Sequence, residues 1–443
     1  MNFGPLSQDE YFRAAHLSEV FRTKIAKSQA TGKDGVRIDT FTEVLEAEAA
    51  LIEKKIANST YTFTRFKERL ILRGHDRAPR QISIPTVRDR LTLRTICQVL
   101  HTFVPSTRGS APHTLVKQVV EAVRTGDVNS RSFVRLDVRD FFPNISHAIL
   151  KRELSHFALS PKVSSLCLDA VRTSTGSSIK QNGRGVPQGL SISNALSAIF
   201  MLRFDAIRSK KYLNYFRYVD DIFLIVDTSE ADNTLTEVSR ALSSRGLKAH
   251  KIGVAGKTEI SPVINGIDFL GYRISRERVS IRDSSYKRMF KNVLKVITDY
   301  RYRKDDDRLI FRLNLKITGC TVDGKRRGWM MFFSYTEDLS QLGFLDKFIA
   351  DQLKRVQFPL SRATEIKRLI KSHHEIRFNL NQTSYIPDFD KFDEKDRAGV
   401  IAALSRHSLD EVLTWDAIRI EEEFSRLLSR EVHDLEQDVG NPS

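Results

Sequence analysis

The chain has 443 residues, 71 Lys and Arg against 55 Asp and Glu, a formal charge of +16, and 41% hydrophobic residues. With only 12 Pro and 21 Gly and with 28% charged residues, it has globular proportions, which exclude collagen-like, low-complexity and wholly disordered chains. Cys97, Cys167 and Cys320 are too far apart for a disulfide framework or a CxxC metal knuckle, and the N-terminus has no basic start followed by an apolar core, so a cytoplasmic chain away from the membrane is expected.

In chain order, residues 5–58 show helical spacing (Tyr11, Phe12, Ala15, Leu17, Val20, Phe21) broken at Thr31 to Gly35. Lys67 to Arg73 and Arg80 to Pro85 alternate like the strands of a basic hairpin, and Arg88 to Val104 reads as a helix. Phe133 to Leu136 is a short strand ending in Asp137, followed by helices from Ser146 and Ser160, each serine a candidate N-cap. Gly183 to Gly189 is a loop feeding a helix from about Ser191. Tyr212 to Tyr218 and Ile222 to Val226 are β-rich runs on either side of Val219-Asp220-Asp221, the pattern of a hairpin with carboxylates at its turn. A helix near Ser229 to Ser244 and strands over Ile267 to Ile274 complete an α+β pattern, a sheet with helices packed on one face. Beyond about residue 285 the chain is helical and basic, and 383–398 reads as a linker. Residues 381–443 hold 15 acidic and 7 basic side chains, a net −8, which leaves +24 on residues 1–380. A body that basic suits a polyanion, although charge alone serves solubility equally well.

An Asp ending one strand and two Asp on a hairpin turn bring three carboxylates together if the strands are neighbours. Such a hard-oxygen set suits Mg²⁺ and the two-metal chemistry of phosphoryl transfer. Taken singly, an Asp-Asp pair between strands is more often a solvated turn.

Three blocks, in this order, resemble the palm of a reverse transcriptase: Phe133-Val-Arg-Leu-Asp-Val-Arg-Asp-Phe-Phe-Pro-Asn-Ile145, Gly185-Val-Pro-Gln-Gly-Leu-Ser-Ile-Ser-Asn194 and Tyr218-Val-Asp-Asp221. The resemblance implies that Asp137, Asp220 and Asp221 hold two Mg²⁺ ions, for which Mn²⁺ substitutes, with the Val138 carbonyl as a further ligand. It implies that Phe142 is a steric gate favouring deoxynucleotides, that Gln188 packs against the incoming nucleotide, and that Arg80, helped by Arg77, clamps its triphosphate. Arginine suits that clamp through bidentate phosphate contacts. Lys257 resembles the lysine that protonates pyrophosphate, and Phe269-Leu270-Gly271-Tyr272 resembles the primer-grip hairpin.

The implied architecture is a right-hand polymerase. Residues 1–130 are an N-terminal extension and fingers, 131–280 the palm with a fingers segment at about 145–185, 285–380 a helical thumb and 381–443 an acidic helical extension. Lys33-Asp-Gly-Val36 and Ile84 to Arg90 resemble bacterial group II intron-type enzymes. Lys316 to Gly319 and Gly328 to Phe333 resemble stand-alone bacterial enzymes of phage defence. The implied function is RNA-directed DNA synthesis from dNTPs on an RNA template, a dedicated non-coding RNA, serving antiviral defence. Self-association or an accessory defence protein stays open as the partner. A retron or intron-type enzyme, or an RNA-binding scaffold of maturase type, is the alternative.

Overall fold

The computed structural model describes residues 6–26, 28, 30–72, 79–109, 112–253 and 257–439. The chain divides into two compact units, one of residues 1–111 and 130–261, the other of 112–129 and 262–443.

The first unit is built on a four-stranded sheet, with strands β3 Arg131–Asp137, β4 Tyr215–Tyr218, β5 Asp221–Asp227 and β6 Glu259–Pro262 in the order β4-β5-β3-β6. Strands β3 and β5 run antiparallel, and both are nearly continuous in Phe, Val, Leu and Ile because both of their faces are covered. Their register sets Asp137 opposite Asp221, so the first acidic residue and the turn meet by pairing alone. Helices Val87–Phe103, His147–Leu154, Pro161–Arg172, Ser193–Lys211 and Ala231–Ser243 share one hydrophobic core with this sheet. Ser146 and Ser160 cap their helices as expected, each accepting from a backbone N–H three residues on.

A separate hairpin pairs β1 Lys67–Ile71 with β2 Arg80–Ile84. The hairpin forms where the basic alternating pattern places it, but β1 is exposed along its whole length and only β2 is partly sheltered, so the alternation in sequence is not matched by burial in β1. The Ser83 N–H of β2 donates to the Gln188 carbonyl at 2.7 Å, which seats the Pro187-Gln188-Gly189 loop on the hairpin. Gly189 lies at φ +102, and a Cβ there would stand 2.7 Å from the Ile82 side chain and 2.9 Å from the Ser83 carbonyl oxygen, so only glycine fits.

The second unit opens with a three-stranded sheet, β7 Ile267–Phe269, β8 Tyr272–Ile274 and β9 Val279–Ile281. Leu270 and Gly271, both at positive φ, form the two-residue turn between β7 and β8. Helices Asp283–Arg303, Asp306–Thr318, Leu339–Arg355 and Leu369–Phe378 follow, with a small Asp323-Gly324 hairpin of β10 Cys320–Val322 and β11 Lys325–Arg327. The stretch expected to be a linker is not one. Ile386 and Phe389 are buried, a capping box at Asp393 starts the helix Glu394–Leu404, and Phe389 shares a core with Leu315, Ile401 and Phe424. The acidic extension therefore folds onto the preceding helices as part of one unit, because its apolar residues have no other surface to bury. Among the described residues no helix is long and apolar enough to cross a membrane.

Candidate active site

The site grows from one end of the sheet's two central strands, β3 and β5. Strand β3 ends in Asp137, and the chain leaves it with the Val138 N–H donating to the Asp220 carbonyl at 2.9 Å, so the β4–β5 turn is tied to the end of β3. Tyr218 and Asp221 pair across that turn, whose two central residues are Val219 and Asp220. Burial, and after it the neighbouring Asp137 and Asp221 charges, pushes the Asp220 carboxyl up to about 6. Three acidic groups crowd here closely enough to oppose one another's ionisation.

Two of the three are held by cations of the chain. Asp137 accepts from Lys257 Nζ at 2.6 Å and faces His250 Nε2 at 3.3 Å. Asp221 is fully buried and takes a two-pronged contact from Arg135, Nε to Oδ1 at 3.0 Å and Nη2 to Oδ2 at 2.6 Å. The Arg135 side chain is only 5% exposed. Burial pushes the Asp221 carboxyl up against the pull of that guanidinium.

The three-carboxylate cage expected from sequence is thus not drawn in by the side chains themselves: among the described residues no three acidic, imidazole or thiol groups converge closely enough to hold a metal ion. The donor chemistry still fits a hard cation: the Asp220 carboxyl resists ionisation because it is buried and because the Asp137 and Asp221 charges oppose it, and Asp137 lies beside it on the tied strand end.

The surrounding residues take their places in the same unit. Phe142 is half-buried and packs edge-on against Phe141 at 5.5 Å, and its carbonyl accepts from the Val186 N–H at 2.9 Å, which ties the gate candidate to the Gly185–Gly189 loop. Gln188 is partly exposed beside β2, and Arg80 begins that strand. Arg77 lies outside the described residues. The primer-grip candidates Phe269, Leu270, Gly271 and Tyr272 belong to the second unit, where Tyr272 is buried with its hydroxyl donating to the Phe332 carbonyl at 2.5 Å.

Sequence reasoning missed Arg135, His250 and the pair Asp205–Arg217. For Arg135 a signal existed: it precedes Asp137 by two residues in a strand, which puts both side chains on one face.

Residues 72–274 match the family described as reverse transcriptase (RNA-dependent DNA polymerase), so the chain carries the catalytic domain of an RNA-directed DNA polymerase, a nucleotidyltransferase. Protein YkfC of Escherichia coli (strain K12) is 22% identical over 310 residues, 59% of this chain and 81% of that protein. Two solved structures are similar in part. Apo telomerase from Candida tropicalis, truncated from its C-terminal domain, has 15% identity and a TM-score of 0.36 over 50% of this chain, which spans 55% of that one. Telomerase from Candida albicans, in complex with the TWJ fragment of telomeric RNA, has 13% identity and a TM-score of 0.40, over 88% of this chain and 68% of that one.

Proposed function

We propose that the whole protein copies RNA into DNA from dNTPs at the end of strand β3, with Asp137, Asp220 and Asp221 as the acidic set that receives two Mg²⁺ ions. The observation that carries this reading is the tie between the Val138 N–H and the Asp220 carbonyl, which brings two carboxylates far apart in sequence to one strand end. When bound, the ions supply charge neutralisation at the attacking 3′-hydroxyl and the departing pyrophosphate. The chain's own groups do the rest. Lys257, now on Asp137, holds the proton that its Nζ delivers to the pyrophosphate oxygen. Arg80 and Gln188, on a hairpin and loop fastened together at Ser83, bind the triphosphate and the nucleotide. Phe142, fixed by Phe141 and Val186, excludes the 2′-hydroxyl.

The resemblance of Lys316 to Gly319 and Gly328 to Phe333 to stand-alone defence enzymes supports a bacterial antiviral role with a dedicated non-coding RNA as template. The test has two arms. Purified protein with an annealed RNA template and DNA primer should extend the primer with dNTPs in Mg²⁺, and no extension on any primer–template pair would refute the polymerase reading. Sequencing nucleic acid that co-purifies with the protein should return one structured RNA, and a random sample of cellular RNA would refute the dedicated template.

A further inference from the structure

The turn that presents the acidic pair is strained at its first residue. Val219 lies at φ +54, a left-handed conformation that is strained for a β-branched side chain and that hairpin turns usually give to glycine. A strained residue persists only where its surroundings over-determine it.

Here the surroundings are specific. Arg217 Nη1 donates to the Val219 carbonyl at 2.8 Å. The rest of the guanidinium is fixed by Asp205 of the helix Ser193–Lys211, Nε to Oδ1 at 2.8 Å and Nη2 to Oδ2 at 2.5 Å. The Tyr215 hydroxyl donates to the same Oδ1 at 2.7 Å, and the Arg217 and Asp205 side chains are 12% and 23% exposed. On the next residue the Asp220 carbonyl is taken by the Val138 N–H. Two successive carbonyls are thus pinned by different elements, which fixes the peptide planes on both sides of Asp220 and, with them, the direction of its Cα–Cβ bond.

We propose that Arg217, clamped by Asp205, is a positioning residue for polymerisation: by holding the Val219 carbonyl it keeps the turn in its left-handed conformation and aims the Asp220 carboxylate. The inference rests on the reading of Asp220 as a cation ligand. The competing explanation is a structural tie between β4 and the helix, with no influence on the turn.

The two are separated by a rescue experiment on the full chain. Arg217→Lys keeps a positive charge for Asp205 but lacks the planar fork whose three nitrogens reach both Asp205 oxygens and the Val219 carbonyl at once. Its Mn²⁺ affinity, read by electron paramagnetic resonance of the free ion, should fall ~10- to 100-fold, the range seen when outer partners of metal ligands are removed. Primer extension should fall in parallel, with the melting temperature nearly unchanged. Adding Val219→Gly, which adopts positive φ without strain, should restore most of both. An Arg217→Lys protein with unaltered Mn²⁺ affinity, or a loss that Val219→Gly leaves in place, would overturn the proposal. If the wild-type protein extends no primer, the polymerase reading fails on its own, while the Mn²⁺ titrations still decide whether Arg217 aims Asp220.

Discussion

Two buried ion pairs, one in each unit, show how differently this chain uses charge. In the second unit Lys316 Nζ meets Asp438 at 2.6 Å with side chains 8% and 4% exposed, and Asn292 donates to the other Asp438 oxygen, so both oxygens are satisfied. Nearby, Arg312 bonds Glu431 and Arg327 pairs with Glu436 on the same C-terminal helix Ala417–Val439. Each of these acids has its base. At the end of β3, Arg135 and Asp221 make a pair just as buried, but Asp137 and Asp220 crowd against it and the Asp220 carboxyl is driven up to about 6. One cluster is balanced and serves cohesion, while the other holds surplus negative charge, which is what the proposed capture of cations requires.

The strongest test of that contrast is Asp220→Asn. Removing a ligand for the reacting cations should lower primer extension on the order of 10³-fold, while relief of charge crowding should raise the melting temperature of the ion-free protein. A variant that is both inactive and less stable would break the comparison. Lys316→Met should do the reverse. It leaves Asp438 buried without its base, at about 3–5 kcal/mol by urea unfolding, and Lys316→Met with Asp438→Leu should recover most of that loss. Extension per folded molecule should be unchanged in both.

A pH series sharpens the same point. Because the folded Asp220 carboxyl sits above its ordinary value near 3.8, its contribution to stability is present below that value and is lost as pH rises through about 6. The ion-free protein should therefore lose stability over that window. Mn²⁺ affinity should rise by up to about tenfold per pH unit until 6 and then level off, and a flat affinity from pH 5 to 7 would contradict the crowding. The smallest expected effect is at the gate. Phe142→Ala should admit ribonucleotides, seen as a fall in the dNTP-over-NTP ratio of kcat/KM by about 10- to 100-fold, with little change in unfolding.

Much of the site was legible because it is local: a strand ending in an acid, a two-residue turn between β-rich runs, serines before helices. Asp137 and the turn meet by strand register, which pairs Phe133 to Leu136 with Ile225 to Ile222, but runs so nearly continuous in apolar residues carry no alternation that would fix the register in advance. What escaped depended on partners far away in sequence. Arg135 looks like a solvent-facing strand residue until Asp221 is placed opposite its neighbour, and Arg217 looks the same until the helix bearing Asp205 packs behind it. The polar stretch 383–398 resembled a linker because its few apolar residues, Ile386 and Phe389, gain meaning only against Leu315 and Phe424.

The bond from Ser83 to the Gln188 carbonyl, with Gly189 wedged against Ile82, gears the β1–β2 hairpin and the loop that carries Gln188 together. Any tilt of the hairpin must carry that loop along with it. Under the proposed function, a nucleotide that draws the hairpin in through its phosphates therefore also moves Gln188, and a side chain added at Gly189 would jam that linkage rather than merely loosen a loop.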